Sequence, residues 1–114
     1  MSSAGNPASE IADKYFLILM RLAPGKTMSP EVLGAHSAHL AELDRDGKLV
    51  LGGPIPELSG GLIVLRVANL VAVKAIADED PLVRSGFQTY ELATWLMSKR
   101  ENGYHPDLRQ EPHT

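Results

Sequence analysis

Apolar residues are concentrated in four short segments of the chain. The first, residues 14–23, is rich in aromatic and branched side chains and stops at Pro24-Gly25, which indicates a buried strand. The same criteria predict three further strands, at residues 48–53, 62–68 and 87–97. Proline and glycine at positions 54, 56, 60 and 61 predict a loop between the second and third strands.

Two helices are predicted between these strands. Ser29-Pro30 combines an N-cap residue with a proline suited to the first helical position, and Gly47 ends that helix. Asn69 caps a second helix that runs to about Asp78. The order β-α-β-β-α-β predicts an α+β protein with a ferredoxin-like fold and a four-stranded antiparallel sheet.

Both faces of the sheet are predicted to be apolar. Alternation along the first strand puts Tyr15, Leu17 and Leu19 on one face and Phe16 and Ile18 on the other. Two helices cover one face in this topology, so the other would expose a large apolar patch. We therefore expect a homodimer packed through the helix-free face, unless the terminal segments fold over it.

Composition and the chain ends narrow the class of protein. The body, residues 14–97, lies between polar segments 1–13 and 98–114, which we interpret as tails of one domain. The absence of cysteine excludes disulfides, zinc-thiolate sites and cysteine nucleophiles. A net charge of −3 without a basic cluster argues against nucleic-acid binding. No signal peptide or membrane-spanning apolar run is recognisable, so we expect a cytoplasmic protein without membrane contact.

Two histidines lie on the first predicted helix. Helical periodicity places His36 in one arc with Val32, Leu40 and Leu43, and His39 at the margin of that arc. An imidazole changes charge near neutral pH and can therefore act as an acid or a base. A core histidine bonded to a backbone carbonyl is the structural alternative.

A metal or cofactor site is not expected. The spacing of His36 and His39 lets two imidazoles approach one ion, but zinc requires a third protein ligand. The metalloprotease spacing of two histidines four residues apart around a glutamate is absent, as are phosphate-binding and dinucleotide-binding glycine motifs.

Asp80 is a further candidate. It follows Asp78 and Glu79 at a helix C-terminus, where the helix dipole disfavours negative charge, so a protonated histidine would be a favourable partner. It is equally suited to capping the turn that begins at Pro81.

Four other residues are candidates for ligand binding. Gly53 permits close approach of a ligand to the backbone, and Pro54 fixes the exit from the strand, although both also suit a simple strand end. Arg21 and Arg66 lie within apolar strands, where they can bind an anionic substrate or extend to the surface.

Several short motifs together resemble the YciI-like (YCII-related) family over residues 14–95. They are His39-Leu40, Gly47-Lys48-Leu49, Gly52-Gly53-Pro54, and Asp80-Pro81-Leu82-Val83 with Gly86. The resemblance implies a ferredoxin-like subunit that dimerises into an α+β barrel, with a histidine–aspartate centre at His39 and Asp80. Family members often have arginine at the position of His36 and an aromatic residue at that of Leu82, so pocket charge and shape differ here.

The resulting hypothesis is a small-molecule enzyme, a lyase or isomerase. His39 would move a proton, Asp80 would orient its imidazole, and His36 would bind or polarise the substrate. The resemblance includes a dehydrochlorinase of chlorinated hydroxyhydroquinones, which favours elimination. Two alternatives remain open at this stage: a non-catalytic ligand-binding or regulatory dimer, and a haem protein or cofactor-independent oxygenase of the dimeric α+β barrel type.

Overall fold

The backbone forms a four-stranded antiparallel sheet with helices packed on one face. The computed structural model describes residues 14–108. Its elements, in chain order, are β1 (Lys14–Leu22), α1 (Pro30–Arg45), β2 (Leu49–Ile55), β3 (Gly60–Leu65), α2 (Leu70–Glu79), α3 (Pro81–Arg84) and β4 (Gln88–Leu96), with 3-10 turns at Pro56–Leu58 and Arg100–Asn102. The strand order is β2-β3-β1-β4, and all neighbouring strands are antiparallel. The predicted ferredoxin-like α+β fold is confirmed.

The helices begin at the predicted caps. The Ser29 hydroxyl accepts a hydrogen bond from the Val32 N–H at 3.3 Å, and the Asn69 side chain accepts one from the Ala72 N–H at 2.9 Å. Each bond satisfies a backbone donor that has no partner within its own helix. Just beyond α1, Gly47 adopts a positive φ of 76°, which turns the chain towards β2.

The hydrophobic core lies between the sheet and the helices. Alternate residues of β1 point into it, and apolar residues from β3 and from all three helices surround them. The buried cluster consists of Phe16, Ile18, Met20, Leu43, Ile63, Leu65, Val73, Ala77 and Leu82. Full burial of such side chains is worth roughly 1.5–3 kcal/mol each for the larger aliphatic and aromatic ones, so this layer holds the helices on the sheet.

The opposite face of the sheet has no helix in the described part of the chain. Several residues paired across the strands there are apolar: Leu17 lies opposite both Val64 and Ala93, and Leu51 lies opposite Val64, whereas Leu19 lies opposite Glu91. Leu51 is 59% exposed, and Trp95 at the other edge is 48% exposed. Val64, between these two edges, is only 1% exposed, so the exposed apolar surface of this face lies at its edges.

The segment between β2 and β3 is more regular than predicted. β2 continues through Pro54, and β3 starts at Gly60, two residues earlier than expected. Pro54 is tolerated because β2 is an edge strand, where a missing backbone donor costs little. The loop shrinks to the turn Pro56–Leu58 followed by Ser59 at a φ of 49°.

Of the two predicted tails, only residues 98–108 are among the described residues. Residues 1–13 and 109–114 lie outside the described residues, so the domain boundaries remain predictions. Beyond β4, the Asn102 amide donates to the Met97 carbonyl at 2.8 Å and closes the turn Arg100–Asn102. None of the helices within residues 14–108 has the length and apolar character needed to cross a membrane.

Gly60 is expected to be essential for packing β3 against β1. A Cβ atom at this position would overlap the Met20 carbonyl oxygen, whereas one at Gly53 would meet nothing within 4 Å. Gly60→Ala should therefore lower the free energy of unfolding by about 1–3 kcal/mol, as overpacked sites do. Urea denaturation measures this, with Gly53→Ala as the control expected within about 0.5 kcal/mol of wild type. Equal stability of the two variants would contradict the close approach.

A surface network ties α2 to β4 and predicts a pH effect. Lys74 Nζ donates to one Asp78 oxygen at 2.8 Å, and the Tyr90 hydroxyl donates to the other at 2.6 Å. Both bonds favour the ionised carboxylate, with Lys74 the larger cause, so the pKa of Asp78 is lowered.

The stabilisation from Asp78 should be present above its unfolded pKa of about 3.9 and should disappear as the pH falls further. Urea denaturation should find Asp78→Asn slightly less stable than wild type at pH 7, and the difference should shrink as the pH is lowered below about 4. Asp44→Asn on exposed α1 is the matched control. A difference that did not change with pH would show that ionisation of Asp78 is not its source.

Candidate functional site

A cavity of about 600 Å³ opens between α1, the β2–β3 connection and the start of β4. Its size lies within the range typical of small-molecule sites. Most of its wall is apolar and is provided by Met20, Met28, Leu33, Leu40, Leu62 and Leu82. The polar side chains at the cavity belong to His36, Ser37, Ser59 and Gln88. An apolar chamber with a few polar groups is the arrangement expected for binding a small organic molecule.

The main polar contact joins His36 to Asp80. His36 Nδ1 lies 2.8 Å from one carboxylate oxygen of Asp80 and 3.0 Å from the other. The Asp80 side chain is 1% exposed and that of His36 is 15% exposed, so the contact is largely shielded from water. An ionised carboxylate only accepts hydrogen bonds, so Nδ1 carries the proton in this pair and Nε2 is the ring nitrogen left for other partners. His36 also lines the cavity.

The local sequence explains why Asp80 is in place. Asp80 is both the C-cap of α2 and the N-cap of α3. Its backbone is extended, as expected for a residue before proline. One of its oxygens accepts the Leu82 N–H at 2.9 Å. The same carboxylate therefore caps a helix and holds an imidazole, which combines the two roles that the sequence left open.

The structure places His39 differently from the sequence hypothesis. Asp80 contacts His36, and His39 instead borders a separate, more open depression with Glu42, Arg45 and Glu79. His39 Nε2 is buried and has no hydrogen-bond partner. Three residues along a helix amount to a rotation of about 300°, so the two imidazoles diverge by about 60° and only one of them reaches the cavity.

The predicted binding residues separate into two groups. Gly53 and Pro54 line the cavity together with His36. Arg21 lies 3.8 Å from Glu91 at the surface, and Arg66 stacks over Tyr15 and donates to its hydroxyl at 3.2 Å. Neither arginine lines the cavity, so the expected contact of these residues with an anionic substrate finds no support in the geometry.

Gln88 is a cavity residue that the sequence hypothesis omitted. It is 5% exposed, and its Nε2 donates to the Ser59 carbonyl at 3.0 Å and contacts Met28 Sδ at 3.4 Å. Its Oε1 is buried without a hydrogen-bond partner. Strand alternation puts Gln88 on the same face as Tyr90 and Leu92, so a polar residue at an inward position was the available signal.

Residues 14–108 contain no cluster of three or more histidine or acidic side chains placed to hold a metal ion. Within this part of the chain, the chemistry that the geometry offers is proton transfer by an imidazole next to a carboxylate.

Comparison with known proteins agrees with this fold. The model of the YCII-related domain matches residues 15–96. The uncharacterized protein YjpA of Bacillus subtilis (strain 168) is 27% identical over 85 residues, which cover 75% of this chain and 96% of YjpA. A solved structure of 5-chloro-2-hydroxyhydroquinone dehydrochlorinase (TftG) from Burkholderia phenoliruptrix, in complex with 2,5-dihydroxybenzoquinone, is similar with a TM-score of 0.58. It is 23% identical, and the match covers 75% of this chain and 97% of that one.

The contact between Asp80 and His36 predicts energetic coupling. In a double-mutant cycle, His36→Gln and Asp80→Asn should be non-additive by about 0.5–3 kcal/mol, because each single change already removes the same pairing of an imidazole with a carboxylate. Asparagine keeps the cap on Leu82, which limits other effects. Urea denaturation provides the four free energies of unfolding. A parallel cycle with His39→Gln is the control and should show clearly smaller coupling; stronger coupling to His39 would refute the arrangement.

Proposed function

Because the chain belongs to the YCII-related domain family, we propose that it uses the cavity beside α1 for general acid/base chemistry on a small organic substrate. His36 Nε2 is the atom that takes and returns the proton, and Asp80 is the residue that positions the imidazole. The observation that carries this proposal is the shielded contact between His36 Nδ1 and both oxygens of Asp80, at the wall of an apolar cavity. This proposal moves the proton-transfer role from His39 to His36.

The environment of the pair suits proton transfer. Asp80 holds the ring in one orientation and one tautomer and stabilises the charge that the imidazole gains when it accepts a proton. The wall of the cavity is mostly apolar, which lowers the local dielectric constant and so strengthens electrostatic interactions relative to solvent. Leu33 and Leu40 on α1, together with Leu82, form part of that wall next to His36.

Elimination of hydrogen chloride from a chlorinated hydroxyhydroquinone is the reaction class that we propose. The similar solved structure is named as a 5-chloro-2-hydroxyhydroquinone dehydrochlorinase, and its ligand is a ring compound small enough for a cavity of about 600 Å³. In the net reaction two O–H bonds and the C–Cl bond break, and one proton returns to the carbon that carried chlorine. The other proton and chloride leave, and a quinone remains. A residue that both accepts and returns a proton fits this sequence of steps.

Chloride release from 5-chloro-2-hydroxyhydroquinone under argon tests the proposal. His36→Gln should reduce kcat/KM by a factor of about 10²–10⁴, the usual contribution of a general acid or base. His39→Gln, one turn away on the same helix, is the matched control and should remain close to wild type.

The converse result, loss of activity in His39→Gln alone, would assign the proton transfer to His39. Binding of the compound by wild type without chloride release would support a ligand-binding protein instead of this enzyme. Thermal unfolding of each variant verifies that it is folded.

We also propose that the chain forms a homodimer through the helix-free face of the sheet. The support is the apolar pairing of Leu17 with Val64 and Ala93 on this face, together with the exposure of Leu51 on β2 and Trp95 on β4. A second copy of the same face is a self-complementary cover for such a patch.

Light scattering coupled to size-exclusion chromatography tests the dimer. Leu51→Glu and Trp95→Glu should each convert a dimer of about twice the chain mass into a monomer, because a charge would be buried without a partner. Val71→Glu is the matched control, since Val71 is 68% exposed on α2, away from this face, and should leave the mass unchanged. A monomeric wild type, or equal effects of all three changes, would refute the interface.

A further inference from the structure

Gln88 is a buried polar residue of the cavity that has no contact with the His36–Asp80 pair among the hydrogen bonds described above. Its amide group has two ends with different surroundings. Nε2 donates to the Ser59 carbonyl, which fixes the orientation of the amide, because a flip would place two oxygen acceptors against each other. Oε1 is buried and has no hydrogen-bond partner.

An unpartnered buried acceptor is unfavourable, and a donor that reaches it recovers the lost hydrogen bond. Gln88 lines the same cavity as His36, so one ligand can contact both residues. Met28, which also lines the cavity, accepts a hydrogen bond from Nε2 through its sulfur at 3.4 Å, so it occupies the other end of the amide from Oε1. Methionine is flexible, so this side of the cavity can adjust when a ligand approaches Oε1.

The charge of the cavity limits the kind of ligand. No lysine or arginine is among the described residues that line it. Arg21 and Arg66, the strand arginines, interact with Glu91 and Tyr15 instead. A carboxylate or phosphate ligand would therefore find no lysine or arginine partner in this wall, whereas a neutral hydroxyl group would find two acceptors, Gln88 Oε1 and unprotonated His36 Nε2.

We propose that Gln88 determines specificity by accepting a hydrogen bond from a substrate hydroxyl group, an inference that rests on the proposed function. The cavity then takes a small neutral ring compound with at least two hydroxyl groups, one directed at His36 Nε2 and another at Gln88 Oε1. The apolar ring lies against the aliphatic and methionine side chains between them.

Binding of hydroquinone and of its monomethyl ether, 4-methoxyphenol, tests this assignment under argon near pH 8. NMR titration measures both dissociation constants, and the His36 ring signals report contact with the proposed proton-transfer residue. Wild type should bind hydroquinone about tenfold more tightly, because the ether can satisfy only one of the two acceptors.

Two variants separate recognition from structure. Gln88→Met and Gln88→Glu both remove the donor to Ser59, but only the glutamate keeps an acceptor. The preference for hydroquinone should disappear in Gln88→Met and persist in Gln88→Glu. A purely structural role of Gln88 would weaken both ligands equally in both variants and would overturn the inference.

The same titration keeps the two proposals distinguishable. If hydroquinone shifts the His36 signals in wild type but the tenfold preference survives in Gln88→Met, the inference about Gln88 fails and the proposed function stands. If neither ligand shifts the His36 signals, the proposed use of the cavity fails, and the inference about Gln88 fails with it.

Discussion

The buried carboxylate of Asp80 is the group on which the rest of the site depends. It joins α2 to α3, caps the second of these helices and holds His36 from α1. A charge with 1% exposure is tolerated in a protein only when hydrogen bonds replace its water, and here a backbone N–H and an imidazole N–H do so. One side chain thus contacts residues of three helices, and these contacts fix the position of His36 at the cavity wall.

Most of the fold was predictable because local signals and the global arrangement agree. Ser29 and Asn69 cap their helices, and alternate residues of β1 form the core as expected. The differences at Pro54 and Gly60 have a different origin. Their strand pairing depends on the edge position of β2, which is a property of the assembled sheet and not of the local sequence.

The site was predictable in part. Asp80 caps α3 and contacts a histidine, and Gly53 and Pro54 line the cavity, but the family resemblance implies His39 as the partner of Asp80, whereas the contact is with His36. Helical periodicity already placed His36 with Leu40 and Leu43, and in the structure this inward position is the one that reaches Asp80. Gln88 was missed because a single glutamine at a strand start has no motif; its importance comes from a neighbour distant in sequence, Ser59.

The hairpin that contains the turn Pro56–Leu58 forms much of the cavity wall but does not contain His36 or Asp80. Most of the sheet-side wall of the cavity comes from residues 53–56 and 59–63, with Met20 and Gln88 added from β1 and β4, whereas the proposed proton-transfer pair comes from α1 and the α2–α3 junction. A large part of the cavity's shape is therefore encoded in a different segment from His36 and Asp80. The β2–β3 hairpin can differ between relatives, or be exchanged in a chimera, so that a different ring compound fits the cavity while His36 and Asp80 are kept.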